Sequence, residues 1–70
     1  MKYAIVIEKT EANYSAWVLD LPGCVATGPS PDAVEQAIRE AIELHIEGMV
    51  EDGTPVPAPS SDVRYVEVAA

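Results

Sequence analysis

The sequence predicts an α+β domain in which one long helix packs on one face of a mostly antiparallel sheet. Three short segments rich in β-branched and aromatic residues come first, and a long amphipathic stretch and one more strand-like segment follow. Short turns separate the first three segments, so they are expected to pair as antiparallel neighbours. The predicted order is therefore β-β-β-α-β, with the helix and the sheet burying each other's apolar faces.

The first two strands are predicted at residues 2–8 and 14–19, where β-branched and aromatic side chains dominate. Side chains alternate between the faces of a strand, which places Tyr14 and Trp17 on opposite faces of the second strand. Both faces of this hairpin carry apolar groups, yet one helix covers only one of them. We expect the other face to stay exposed or to meet another chain.

A tight turn is predicted to connect the second strand to a third at residues 24–27. Pro22 presets φ for the second position of a type II turn, and Gly23 accepts the positive φ of the third position. The third strand begins at Cys24, where a small apolar residue fits, and ends at Gly28.

The start of the helix has the clearest local signal in the chain. Ser30 is a capping residue, Pro31 suits the first helical position, and Asp32 favours the positive end of the helix dipole. Gly53 is predicted to end the helix. At 100° per residue, one broad apolar stripe is predicted to face the sheet: Val34, Ala37, Ile38, Ala41, Leu44 and Met49.

A segment with three prolines, residues 54–61, follows the helix. Such a segment is either a stiff connector or a polyproline-type ligand. The connector is the favoured interpretation because a last strand is predicted directly after it, at residues 63–68.

The charge of the chain excludes one class of function and favours another. Twelve acidic residues stand against four basic ones, for a net charge of −8, so direct binding of nucleic acid by this chain is not expected. Most of the acids fall between residues 32 and 52. Glu40, Glu43 and Glu47 share the helix face that points away from the apolar stripe. This face either steers a basic partner or is simply a solvated surface.

The residues offer little for catalysis or for a bound cofactor. Cys24 is the only thiol and His45 the only imidazole. A dyad of the two is conceivable, but a packed cysteine and a hydrogen-bonded histidine suit their positions better. No phosphate-binding glycine loop occurs, and the chain has too few strong ligands for a metal site. We therefore expect a protein that is not an enzyme, with no cofactor and no metal.

The length predicts a single domain over residues 1–70 that gains stability from a second copy, because so short a chain buries a small core. One cysteine allows no internal disulfide. No apolar run reaches the ~20 residues that span a bilayer, and no signal-type apolar core follows the N-terminus. A soluble, cytoplasmic protein is expected.

Short motifs in a fixed order give the chain a resemblance to a known family. A D-L-P-G-C turn precedes a G-x-S helix entry, and a G-x-P-x-P-x-P tail and a terminal strand follow the helix. Over essentially the whole chain this pattern resembles the N-terminal domain of the HicB antitoxin family. The residues of the turn and of the helix entry that carry the resemblance are read as structural: Pro22, Gly23, Cys24, Gly28 and Ser30.

The resemblance implies a partial ribonuclease H-like fold that forms dimers or higher oligomers. It also implies a partner, a HicA-like toxin, which is a small basic ribonuclease that cleaves mRNA and is blocked when its RNA surface is covered. Two surfaces are candidates for this contact with equal weight, the acidic helix face and the sheet face at Trp17. The candidate partner-binding residues are Glu40, Glu43, Glu47, Trp17 and Asp20.

The sequence departs from the family pattern in two ways. Complete HicB antitoxins carry a C-terminal DNA-binding segment, whereas this sequence ends after the last predicted strand, so repression of its own operon by this chain alone is not expected. The first strand also offers Ala4, Ile5 and Val6 where ribonuclease H chemistry would need an aspartate. The alternative function is a stand-alone HicB-like oligomer that binds a different protein.

Overall fold

The computed structural model describes residues 1–69 and contains three strands and one helix. The antiparallel sheet has the order β1-β2-β3, so the α+β class and the first four predicted elements are confirmed. Ala70, the last residue of the predicted domain, lies outside the described residues. The elements are β1 at Ile5–Lys9, β2 at Tyr14–Val18, β3 at Val25–Gly28 and α1 at Pro31–Glu51.

The register of the sheet divides its side chains into two faces. Ala16 and Val18 of β2 are buried against α1, and Tyr14 packs beside them on the same face. Trp17 lies on the opposite face, paired with Val6 of β1 and with Val25 of β3. The predicted separation of Tyr14 and Trp17 is thus confirmed by the strand register.

The turn between β2 and β3 closes at Leu21–Cys24. The backbone N–H of Cys24 donates to the carbonyl of Leu21 at 3.1 Å, and Gly23 has φ +81°, as the third position of a type II turn requires. The side chains of Leu21 and Cys24 are both buried in the core. The turn therefore covers one end of the layer between sheet and helix.

Both ends of α1 follow the capping predicted from sequence. The Ser30 hydroxyl accepts a hydrogen bond from the N–H of Ala33 at 3.1 Å. At the other end the N–H of Gly53 donates to the carbonyl of Val50, and the N–H of Thr54 donates to that of Met49. This pair of bonds is the Schellman arrangement, which satisfies carbonyls that the last helical turn leaves free.

Gly28 allows α1 to start immediately against β3. A Cβ at this position would lie 2.8 Å from the backbone nitrogen of Val34, too close for any other residue without a shift of the backbone. Val34 and Ile38 are consequently buried over the sheet. Within residues 1–69 the buried core consists of six residues: Ala16, Val18, Leu21, Cys24, Val34 and Ile38.

The predicted apolar stripe of α1 is wrong at one position. Leu44 is 70% exposed, whereas Ile42 and Ile46 pack against the edge of the core. Residues four apart lie on one side of a helix, so the contact row runs from Ile38 through Ile42 to Ile46. Leu44, two positions from Ile42, is rotated by about 200° and points to the other side.

The predicted last strand, residues 63–68, is not formed in the described chain. This segment is neither helix nor strand, and Tyr65 within it is 98% exposed. The physical reason is that a strand needs a neighbour to accept its backbone hydrogen bonds, and the segment leaves the body without reaching one. Proline residues of the connector do contact the body, as Pro57 and Pro59 are half-buried.

Candidate protein-binding surfaces

The acidic helix face is present as predicted from spacing. Glu40, Glu43 and Glu47 are all exposed on α1, and their separations of three and four residues place them on one side. Within residues 1–69 none of the three forms an ion pair, since the salt bridge in this part of the chain joins Arg64 to Asp62. Their negative field therefore acts on the solvent and on any approaching partner.

The second candidate surface lies on the opposite side of the molecule. Trp17 is half-buried on the outer face of the sheet, and its neighbour on β3, Val25, is 65% exposed. Val6 flanks Trp17 on β1, so an apolar patch crosses all three strands. Because α1 packs on the other face of the sheet, a contact centred on this patch excludes the acidic helix face.

Asp20 has an internal function that sequence spacing did not reveal. One carboxylate oxygen accepts the backbone N–H groups of Ser60 and Ser61, each at 3.0 Å, and the other accepts their two hydroxyls at 3.2 and 2.8 Å. The Ser61 and Ser60 amides hold the pKa of Asp20 at about 2, below its ordinary value of 3.8. Asp20 thereby fastens the end of the connector to the end of β2, and its contact with a partner stays a prediction.

Cys24 and His45 do come close enough to line one shallow depression, together with Leu44. The thiol is only 3% exposed, however, and burial raises its pKa, which disfavours the reactive thiolate. In the described part of the chain no hydrogen bond joins the two side chains, and the expected hydrogen bond of His45 is not seen. This arrangement is that of a packed cysteine beside a histidine.

Residues 1–69 contain neither a metal-binding cluster nor a membrane-spanning helix. No group of three acidic, histidine or cysteine side chains is arranged to hold a metal ion. No helix in this range combines the length and the hydropathy needed to cross a membrane.

An apolar groove of about 830 Å³ lies between α1 and the beginning of β1. Its floor is formed by Ile5 of β1 and by the row Ile38, Ile42 and Ile46 of α1. The groove exists because α1 packs mainly over β3 and β2 and makes few contacts with β1. The groove was not predicted from the sequence, although the isoleucines at four-residue spacing are a signal for it. Its rim carries charged groups, namely Lys2, Glu35, Arg39, Glu43 and Glu47.

A phage protein and an archaeal protein are similar to this chain in sequence. It is 38% identical to an uncharacterized 14.9 kDa protein of Haemophilus phage HP1 over 66 residues, which cover 94% of this chain and 50% of the phage protein. The chain thus spans half the length of that relative. A UPF0150 protein of Archaeoglobus fulgidus is 48% identical over 56 residues, which cover 76% of this chain and 81% of the relative.

A solved structure is similar to this chain in both fold and sequence. The fold matches a chain of a HicA3 and HicB3 toxin-antitoxin complex with a TM-score of 0.74 and 32% sequence identity, covering 86% of this chain and 70% of that one. The sequence model of the HicB-like antitoxins of bacterial toxin-antitoxin systems matches residues 3–68. That match includes the strands, the helix and most of the C-terminal segment, so this chain belongs to the HicB-like antitoxin family.

Proposed function

We propose that this chain is an antitoxin module that neutralises a small, basic HicA-type ribonuclease by binding to it. The observation that carries the proposal is the likeness in both fold and sequence to a chain from a complex of a HicA with a HicB protein. The toxin cleaves mRNA, so the proposed place of action is the cytoplasm. The proposed mechanism is occlusion of the toxin and involves no catalysis by this chain.

The acidic helix face is the proposed contact for the toxin. A ribonuclease that binds RNA presents a positively charged surface to the phosphates. Glu40, Glu43 and Glu47 form a negatively charged surface that would attract it. These three carboxylates are exposed and have no cationic partner in the described chain. Binding there should be fast and should weaken as salt screens the charges.

The test is a titration of RNA cleavage by a purified HicA-type toxin, ideally the one encoded beside this protein. We expect cleavage to stop near a one-to-one ratio and the association rate to fall with rising salt. The triple variant Glu40→Gln, Glu43→Gln, Glu47→Gln should lower the association rate by about tenfold or more, since electrostatic steering raises on-rates by 10–10³-fold.

A matched control removes three charges elsewhere. The variant Glu8→Gln, Glu11→Gln, Glu67→Gln has the same net charge as the first triple variant, but its substitutions lie in β1, in the β1–β2 turn and in the C-terminal segment. It should keep most of the wild-type rate. If both triple variants lowered the association rate equally, net charge alone would explain the effect. That result would contradict a specific contact at the helix face.

The sheet face is tested by Val25→Lys, which puts a long charged side chain beside Trp17 on an exposed strand position. If this variant loses inhibition while the helix-face variant keeps it, the toxin binds the sheet instead. If the wild-type chain neither inhibits nor co-elutes with the toxin, the proposed function is wrong, and a HicB-like domain with a different protein partner becomes the working hypothesis.

A further inference from the structure

The apolar groove between α1 and β1 and the acidic helix face share two residues. Glu43 and Glu47 belong to the acidic helix face and also stand on the rim of the groove. Each of them follows an isoleucine of the groove, Ile42 or Ile46, by one residue, so the two rows lie about 100° apart around the helix axis. A protein that binds these two carboxylates is therefore within reach of the groove.

The groove contains more apolar surface than the sheet covers. Ile38 is 1% exposed, but Ile42 and Ile46, further along the same row, are only half-buried. From Ile38 to Ile46 the row is about 12 Å long at 1.5 Å per residue. The groove volume of about 830 Å³ lies in the range of roughly 300–1,000 Å³ that is usual for ligand pockets. The groove is thus large enough for a large apolar side chain of another molecule.

The charges around the groove favour a basic occupant. The rim carries three carboxylates, on Glu35, Glu43 and Glu47, against two bases, Lys2 and Arg39. The last turn of the described helix has no basic residue, so the negative end of the helix dipole adds to this field without a counter-charge. A second copy of this chain, with its net charge of −8, would bring a further excess of acids. The electrostatic complement of the groove is a positively charged protein surface.

We propose that the groove holds a large apolar side chain of the toxin, presented between basic residues that pair with Glu43 and Glu47. This inference rests on the proposed function and divides toxin binding between two neighbouring surfaces. The carboxylates attract the toxin and set the association rate. Burial of the apolar side chain against Ile42 and Ile46 sets the dissociation rate, because a few buried anchors carry most of the binding energy of an interface.

The test compares two truncations on α1 in their binding to a purified HicA-type toxin, measured by surface plasmon resonance. Ile46→Ala removes apolar atoms from the groove. Leu44→Ala removes the same number of atoms from a side chain that is 70% exposed and lies outside the groove. We expect Ile46→Ala to raise the dissociation rate at least about tenfold and to leave the association rate and its salt dependence unchanged. Leu44→Ala should leave both rates unchanged.

A second measurement uses the wild-type chain and needs no substitution. The isoleucines of this chain are Ile5, Ile7, Ile38, Ile42 and Ile46, and all but Ile7 line the groove. An NMR spectrum of isoleucine methyl groups therefore reports mainly on the groove. Unlabelled toxin should shift the signals of Ile42 and Ile46 and give nuclear Overhauser contacts from them to its own apolar side chains. The signal of Ile7 should change little.

Three results would each overturn the proposal, and they differ in what happens to the proposed function. If the toxin is inhibited but neither the dissociation rate of Ile46→Ala nor the methyl signals of Ile42 and Ile46 change, the toxin binds elsewhere and the proposed function stands. If the toxin does not bind at all, the proposed function fails as well. If these methyl signals respond to the concentration of this chain and not to the toxin, a second copy fills the groove instead.

Discussion

The two sides of the sheet differ in how completely this chain covers them. On the side of β2 and β3, α1 lies directly on the strands, and Val34 and Ile38 are fully buried. On the side of β1 the helix stands off, a groove opens, and Ile7 of the edge strand remains 36% exposed on the face toward the helix. Gly28 permits the close packing on the β3 side, because a Cβ there would meet the backbone of Val34 at 2.8 Å.

This contrast indicates which contacts stabilise the fold and which are available for assembly. A well-packed layer of β2, β3 and α1 stabilises the chain. In the described residues the outer edge of β1 is unpaired, and the C-terminal segment is exposed. Substitutions in the packed layer should therefore lower the free energy of unfolding strongly, and substitutions at the groove should lower it less. Four predictions test this division.

The largest effect is expected for Ile38→Ala in the packed layer. Ile38 is 1% exposed, so its truncation should cost about 2–5 kcal/mol in the free energy of unfolding, as large-to-small core substitutions do. Ile46→Ala removes the same atoms from a half-buried groove position and should cost clearly less. Urea denaturation at one fixed protein concentration measures both. Equal losses of unfolding free energy would contradict the inference that the β2–β3 side is packed more tightly than the groove.

Gly28→Ala should be the next most damaging change. The added methyl group meets the backbone of Val34 at 2.8 Å, and overpacking of this kind costs about 1–3 kcal/mol. Gly48→Ala is the matched control, because nothing lies within 4 Å of a Cβ there. In the helix interior that substitution should stabilise the protein by about 0.5–1 kcal/mol. Thermal unfolding of the two variants should thus shift in opposite directions.

A smaller effect is expected where the connector crosses the end of β1. Tyr3→Phe deletes the hydrogen bond to the carbonyl of Pro57 and should cost about 0.5–1.5 kcal/mol in the free energy of unfolding. Tyr65→Phe is the control within the described monomer, since that ring is 98% exposed. Hydrogen exchange of connector amides should speed up in the first variant only. Unchanged exchange in Tyr3→Phe would mean that this bond does not hold the connector.

The weakest and most local effect is the acid titration of Asp20. Its pKa in the folded protein, about 2, lies below the ordinary 3.8, so its bonds to Ser60 and Ser61 are fully present above about pH 4. They are lost as the pH falls from there through 2. Carboxyl-carbon NMR should report a midpoint near 2 for Asp20. A midpoint near 3.8 would show that the serines do not hold the carboxylate in solution.

Local signals in the sequence were sufficient for most of the fold. Ser30, Pro31 and Gly53 located the ends of α1 because capping depends on neighbours a few residues away. The turn at Pro22 and Gly23 was predictable for the same reason. The exposure of Leu44 was not predictable in this way. A helical wheel gives the direction in which each side chain points, but it does not show which part of the helix the sheet covers.

The candidate surfaces were predictable to a different degree. The acidic helix face follows from residue spacing alone, and the structure places its three glutamates where the spacing predicts. The bond of Asp20 to Ser60 and the groove depend on residues about forty positions apart in the chain, which no local pattern connects. The wrong prediction of a fourth strand has the same cause. The composition of residues 63–68 is typical of a strand, but no local pattern shows whether a neighbouring strand is within reach.

The exposed C-terminal segment also bears on how long the protein survives in a cell. Proteases cut stretches of backbone that are accessible and make no hydrogen bonds with the rest of the fold, and residues 62–69 meet that description in the monomer. A protein partner that covers the segment would shield it from cleavage. The chain would then be degraded faster when it is free than when it is bound, so that binding itself would control its turnover.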